Sequence, residues 1–172
     1  MQARYPAHLV RQRLTRDGRA VVVRPVRAED QAGLGAFFGA LSDKTRRLRF
    51  QRFTGAITDA LMRFYTHIDY DRHMAFVCEA DGRLVGDARY VGNPGTRSCE
   101  LGLVVADDWH HTGAALLLMQ ALMSAAQERG FVTMQGLVLA ENRDMLDFVR
   151  ELGFEAHAAD EDPSLVRVVK NL

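Results

Sequence analysis

The first residue able to do chemistry is a carboxylate in an otherwise apolar strand. It is Glu100, within Cys99-Glu100-Leu101-Gly102-Leu103-Val104-Val105. Strand alternation puts Glu100, Gly102 and Val104 on one face and Cys99, Leu101 and Leu103 on the other. Such a carboxylate is a general base beside a cleft, or else an exposed edge residue or the partner of an arginine; spacing alone leaves these open. Directly after it, Asp107-Asp108-Trp109-His110-His111-Thr112-Gly113-Ala114-Ala115 carries the strand into a helix through small residues. Free N–H groups at a helix start, backed by its dipole, form a phosphate cradle, and small side chains let an anion approach. Small residues also occur at helix starts for packing. His110 and His111 beside Asp107 and Asp108 suggest a metal, but no second cluster stands at a ligand spacing, so no metal is expected. The run His67, Asp69, Tyr70, Asp71, Arg72, His73 either borders an acceptor groove, where its carboxylates attract a cationic amine, or is a hydrogen-bonded turn.

These residues need elements to position them. The chain has 172 residues, 48% of them hydrophobic, which suits one domain with a buried core. Residues 1–19 read as a polar arm ending at the turn signal Asp17-Gly18, and residues 20–172 as the folded domain. Ala20 to Val26 is β-rich; a helix follows over about 28–41, with Leu34, Phe37, Phe38 and Leu41 on its apolar side. Ser42 or Asp43 caps a second helix bearing Arg46, Arg47, Arg49 and Arg52, and Thr58 caps a third. Two strands around Asp81-Gly82 form a hairpin, and Asn93-Pro94-Gly95 leads into the Glu100 strand. Helix formers from Gly113 to Arg129 stop at Gly130. A strand over 131–139, a helix from Asn142 through Glu151, and a closing strand from Gly153-Phe154 paired with Leu165 to Val169 complete a mixed α/β order.

The formal net charge is zero, which removes the broad electrostatic footprint of a nucleic-acid or anionic-membrane binder. No stretch approaches the ~20 apolar residues of a membrane span, and the first residues lack the apolar core of a signal peptide, so a cytoplasmic protein is expected. Cys78 and Cys99 lie in apolar strands and read as reduced core thiols.

The run from Val104 to Leu116 resembles the pyrophosphate loop of the GNAT superfamily, of the form Gln/Arg-x-x-Gly-x-Gly/Ala, here His110-x-x-Gly113-x-Ala115. Flanking blocks are similar to the transferase domain of bacterial Pat-type protein lysine acetyltransferases. They are Arg16-Asp17-Gly18, Arg24 to Asp30, Leu48-Arg49-Phe50, Ile68 to Arg72, Ala88-Arg89-Tyr90 and Ala140 to Leu146 ending at Leu152-Gly153-Phe154. Together they run through nearly the whole chain in order. Relatives carry Trp-Gln-Gly-Lys/Arg-Gly-Leu-Gly in the loop; here Trp109 and Gly113 remain, while His110, His111, Thr112, Ala114 and Ala115 replace the rest.

The resemblance implies a GNAT fold, a mixed but mostly antiparallel sheet flanked by helices, with acetyl-CoA as cosubstrate and an amine as acceptor, either a protein lysine or a small molecule. It implies Glu100 as general base, a main-chain N–H near Leu103 or Val104 on the thioester carbonyl, and cofactor contacts along Leu103, Val104 and Val105. Main-chain N–H groups across His111, Thr112, Gly113, Ala114 and Ala115 then hold the pyrophosphate. Independently of the resemblance, imidazole's ordinary pKa of ~6.5 leads us to expect that a protonated His110 or His111 partly replaces the missing basic side chain. Asn142 matches a residue near the pantetheine arm, or is only a helix cap. Val149 stands where many GNAT enzymes have a tyrosine acid. Two other readings are a small-amine or aminoglycoside N-acetyltransferase and an acyl-CoA-binding regulatory module without turnover.

Overall fold

The computed structural model describes residues 3–51 and 55–172; Arg52 lies outside them. A single sheet of eight strands runs in the order β1-β2-β3-β4-β5-β6-β8-β7. β1 (Arg11–Leu14) and β2 (Ala20–Pro25) lead to α1 (Gln31–Ala40), α2 (Asp43–Phe50) and α3 (Asp59–Thr66). β3 (His73–Ala80), β4 (Arg83–Gly92) and β5 (Ser98–Val105) follow, then α4 (Ala114–Glu128) and β6 (Thr133–Leu139). The chain closes with α5 (Arg143–Glu151), β7 (Glu155–Ala158) and β8 (Leu165–Asn171).

Local chemistry sets these boundaries. The Ser42 hydroxyl accepts from Thr45 N at 3.1 Å to cap α2, and the Thr58 hydroxyl accepts from Leu61 N at 3.1 Å to cap α3. Asp81 and Gly82, at φ 51° and 77°, supply the two left-handed residues that a tight hairpin between β3 and β4 requires. Every pairing in the sheet is antiparallel except β5 with β6.

The polar arm, described from residue 3 onward, is tied to the sheet. Arg11–Leu14 pairs antiparallel with Val23–Ala20, and the Tyr5 hydroxyl donates to Pro25 O at 2.9 Å. All four β1 residues are exposed, so this edge strand shows none of the apolar alternation by which strands are read.

Register decides which side chains share a face. Cross-strand partners His73↔Val91, Ala75↔Arg89 and Val77↔Asp87, then Arg89↔Gly102 and Val91↔Glu100, place His73, Asp87, Arg89, Glu100 and Gly102 on one face. The opposite face receives α4, which reaches β4 closely because Gly86 has no side chain: a Cβ there would lie 2.7 Å from Leu118 Cδ1. Leu118, Met119 and Leu122 of α4 are fully buried with Met74, Phe76 and Tyr90 of the sheet.

Candidate active site

β5 and β6 share only Ser98↔Thr133, Cys99↔Met134 and Glu100↔Gln135 before they part. Beyond Glu100, Leu101 to Val105 stay paired with β4 on one side and face a cleft of about 1260 Å³ on the other. α2, the start of α4 and α5 supply its remaining walls. Glu100 sits where the strands separate. Its Oε1 accepts from Gln135 Nε2 at 2.6 Å and lies 3.7 Å from Arg167 Nη1, with the side chain 39% exposed. A reacting group in the cleft can therefore approach this carboxylate without displacing the core.

At the far end of β5, Val104 and Val105 are buried and Leu103 is half-buried; all three line the cleft. Ala106 N donates to Val85 O at 2.8 Å, and the chain enters a short 3-10 turn at Asp107–Trp109. The Asp107 carboxylate accepts from Ser42 N (2.9 Å), Ser42 Oγ (2.8 Å) and Thr45 Oγ1 (2.6 Å), fastening the start of α2 to the turn. Burial works to raise its pKa, and the bonds from Thr45 and Ser42 outweigh it, holding the carboxyl below the ordinary aspartate value. Trp109 is buried under the Arg19 guanidinium, 3.7 Å from its ring centroid.

His110 turns back so that Nε2 donates to Val105 O at 3.0 Å, which requires the hydrogen on that nitrogen. His111 is left-handed at φ 61°. Thr112 Oγ1 donates to Trp109 O at 2.8 Å and accepts from Ala114 N at 3.3 Å. Gly113, at φ 91°, is the residue before α4. Ala114 is buried and Ala115 half-buried. The N–H groups of Ala115 and Leu116 have no carbonyl four residues back inside the helix and are the free donors of its first turn.

Asn142 lines the same cleft, with Oδ1 accepting from Met145 N at 3.3 Å as the cap of α5. Val149 is fully buried in that helix and presents nothing polar. The cluster from His67 to His73 knits a turn: Asp69 Oδ1 accepts from Asp71 N at 2.9 Å and His73 N at 2.8 Å, and the Tyr70 hydroxyl donates to Val26 O at 2.8 Å. None of it lines the cleft.

Four residues around the site, two of them within the family-like blocks, had no role assigned to them by the sequence. Arg16, in the β1–β2 turn, donates from N to Thr112 O at 2.9 Å and from Nη2 to His111 O at 3.1 Å, so its guanidinium stands at the loop. Gln135 and Arg167 reach Glu100 from β6 and β8. Arg49 of α2 lies over Gly102, where a Cβ would meet its guanidinium. Each is placed by long-range pairing that periodicity does not encode.

The family model described as "Acetyltransferase (GNAT) family" matches residues 42–154. The chain belongs to the GNAT acetyltransferase family. It is accordingly an enzyme that moves an acetyl group onto an amine. This GNAT chain is 36% identical over 154 residues to a Pseudomonas aeruginosa protein named as an acetyltransferase, covering 87% of this chain and 83% of that one. The crystal structure of the GNAT domain of S. lividans PAT superposes with a TM-score of 0.91 at 25% identity, covering 98% of this GNAT chain and all (100%) of that one. A PaiA N-acetyltransferase from Thermoplasma acidophilum, solved in complex with coenzyme A, shares the fold at a TM-score of 0.69 and 15% identity, over 88% and 99% of the two chains. Among the described residues of this GNAT enzyme, no helix is long and apolar enough to cross a membrane.

Proposed function

We propose that this enzyme works in the cytoplasm and transfers the acetyl group of acetyl-CoA to a primary amine by direct attack in a ternary complex, with no covalent enzyme intermediate. The observation that carries the reading is the gap between β5 and β6, which joins Glu100 at one end to the Gly113 turn at the other. Its chemistry suits an acyl-CoA: unpaired strand edge for an amide-bearing arm, and free helix N–H groups for phosphates. Bound acetyl-CoA supplies the thioester carbonyl that the amine attacks. The main chain from His111 to Ala115 would hold its pyrophosphate, with His110 bracing the turn through Val105. The edge of Leu103, Val104 and Val105, together with Asn142, would align the arm.

A lysine-type amine of pKa ~10.4 is neutral in about one molecule in 2,500 at pH 7, a cost of about 4.6 kcal/mol. Glu100, directly or through water, takes that proton as the N–C bond forms. A main-chain N–H at Leu103 or Val104 stabilises the developing oxyanion. The departing thiolate needs no protonation in the transfer step, consistent with valine at position 149. The resemblance to Pat-type enzymes supports a lysine-type acceptor.

Thiol release from acetyl-CoA, with acetylated product identified by mass spectrometry, tests the reading. Glu100→Gln should lower kcat by about 10²- to 10⁴-fold while acetyl-CoA affinity stays within twofold of wild type (about 0.4 kcal/mol). Normal rates in that variant from pH 6 to 9 would remove Glu100 as the base.

A further inference from the structure

Beside Glu100 lies a cation, Arg49, whose guanidinium stands 4.9 Å from the Phe50 ring centroid and has no carboxylate partner among the described residues. Arg49 projects from α2 into the cleft, and its guanidinium rests on Gly102, two residues along β5 from Glu100 and on the same face. A Cβ at position 102 would fall 2.7 Å from the Arg49 Cζ, so any side chain there would displace the guanidinium from this place on the sheet.

Arg49 is poorly compensated. Its Nε is buried and has no hydrogen-bond partner. Asp87, on the same face, is engaged through both oxygens by Arg89, at 3.0 Å from Nε and 2.6 Å from Nη2. Glu100 Oε1 faces Gln135 and Arg167 instead. Among the described residues no carboxylate forms an ion pair with Arg49, and positions 52–54, Arg-Phe-Thr, bring none. Burial is the largest influence on its pKa and pulls it below the ordinary arginine value, ahead of the opposing influence of Tyr65 and Asp87. A guanidinium does not escape burial by losing its proton at neutral pH, so the remaining remedy is an anion.

We infer that Arg49 binds a carboxylate of the acceptor, so that the enzyme's substrate is an amine carrying an anionic group close to the nitrogen. This rests on the proposed acetyl transfer at Glu100. Residues at i and i+2 of a strand are about 6.6 Å apart, so a short connector lets one molecule offer its amine to Glu100 and its carboxylate to Arg49. The planar fork of arginine suits carboxylate through two parallel N–H···O bonds. The same chemistry is met by a free amino acid or by a peptide lysine next to an acidic residue, and the assay separates them.

Initial rates would be measured with matched acceptors differing only in that charge: ω-amino acids of several lengths against their primary amides, and lysine peptides flanked by glutamate against glutamine. In the wild type, kcat/KM should favour the acid by about ten- to hundredfold in one of the two sets, as expected when a charged hydrogen bond is lost. Arg49→Gln should abolish that preference, while Arg49→Lys should keep part of it. Equal use of acids and amides by the wild type, or an equal fall on both in Arg49→Gln, overturns the carboxylate site alone. No acetylation of any acceptor, with acetyl-CoA demonstrably bound, overturns the transfer reaction as well. Should Arg49→Gln fail to fold, competition in the wild type decides: butyrate must inhibit and butyramide must not, and the reverse or no difference refutes the site.

Discussion

Arg89→Met tests how the wall behind the cleft is held. Asp87 is 0% exposed and Arg89 3% exposed, and the two face each other through paired hydrogen bonds. Arg89 also donates from Nη1 to Tyr65 O at 3.1 Å and lies 4.0 Å from the Tyr65 ring centroid, joining β4 to α3. Methionine replaces the aliphatic stem and leaves Asp87 in place without its countercharge. Breaking one side of such a buried pair costs about 3–5 kcal/mol, a fifth or more of the ~5–15 kcal/mol that holds a domain together. For a chain of this size each kcal/mol moves the melting temperature by about 2–4 °C, so a fall of about 6–20 °C is expected. Equilibrium urea unfolding with an unchanged m-value is the assay. Asp87→Leu together with Arg89→Met should recover most of the loss, since neither charge is then stranded. A single-variant loss below about 1 kcal/mol, or a double variant as unstable as the sum of the singles, would refute the argument that the pair is electrostatically closed.

Four further outcomes follow from the geometry. His73 accepts a hydrogen bond from Arg89 Nη1 at 3.1 Å, and burial, then the Arg89 charge, push it down to about 4. The unfolded chain takes up this proton first, so the stability is fully present above about pH 6.5 and is lost as pH falls towards 4, by up to about 3 kcal/mol, a slope that His73→Gln should flatten in melting curves at pH 4.5 and 7.5. Asp107→Ala removes the acceptor of three hydrogen bonds and should cost about 1–3 kcal/mol in urea unfolding. Gly86→Val forces α4 off β4, where Leu118 leaves no room for a Cβ, and should cost about 1–3 kcal/mol, read as faster amide exchange in α4. Arg16→Ala removes the guanidinium that stands against the loop and should weaken acetyl-CoA binding by about tenfold in titration calorimetry, more in low salt than in high.

Much of the fold is legible in the sequence because its boundaries are made of local chemistry. Ser42, Thr58 and Asn142 cap helices through their own side chains, and Asp81-Gly82 turns a hairpin through its own backbone preferences. β1 is not legible, since an exposed edge strand carries no alternation. The position of Glu100 is readable as an anomaly in an apolar run, whereas its neighbours are not. Gln135 meets it through a parallel register, Arg167 through a strand two places away in the sheet order, and Arg16 reaches the loop across 95 residues of chain. The histidines illustrate the same limit: the sequence shows two imidazoles at the turn, and only the folded chain shows that His110 spends Nε2 on Val105 O.

The parting of β5 from β6 has a consequence for the life of the protein before it meets its cosubstrate. Alongside Leu101–Val105 the sheet contains an internal unpaired edge, a template that any extended peptide can join. A ligand lying there acts as a missing strand, and at a hundredfold over its Kd it would add about 2.7 kcal/mol to folding. Starvation for that ligand should thus register first as self-association of intact protein, with solubility tracking cosubstrate supply.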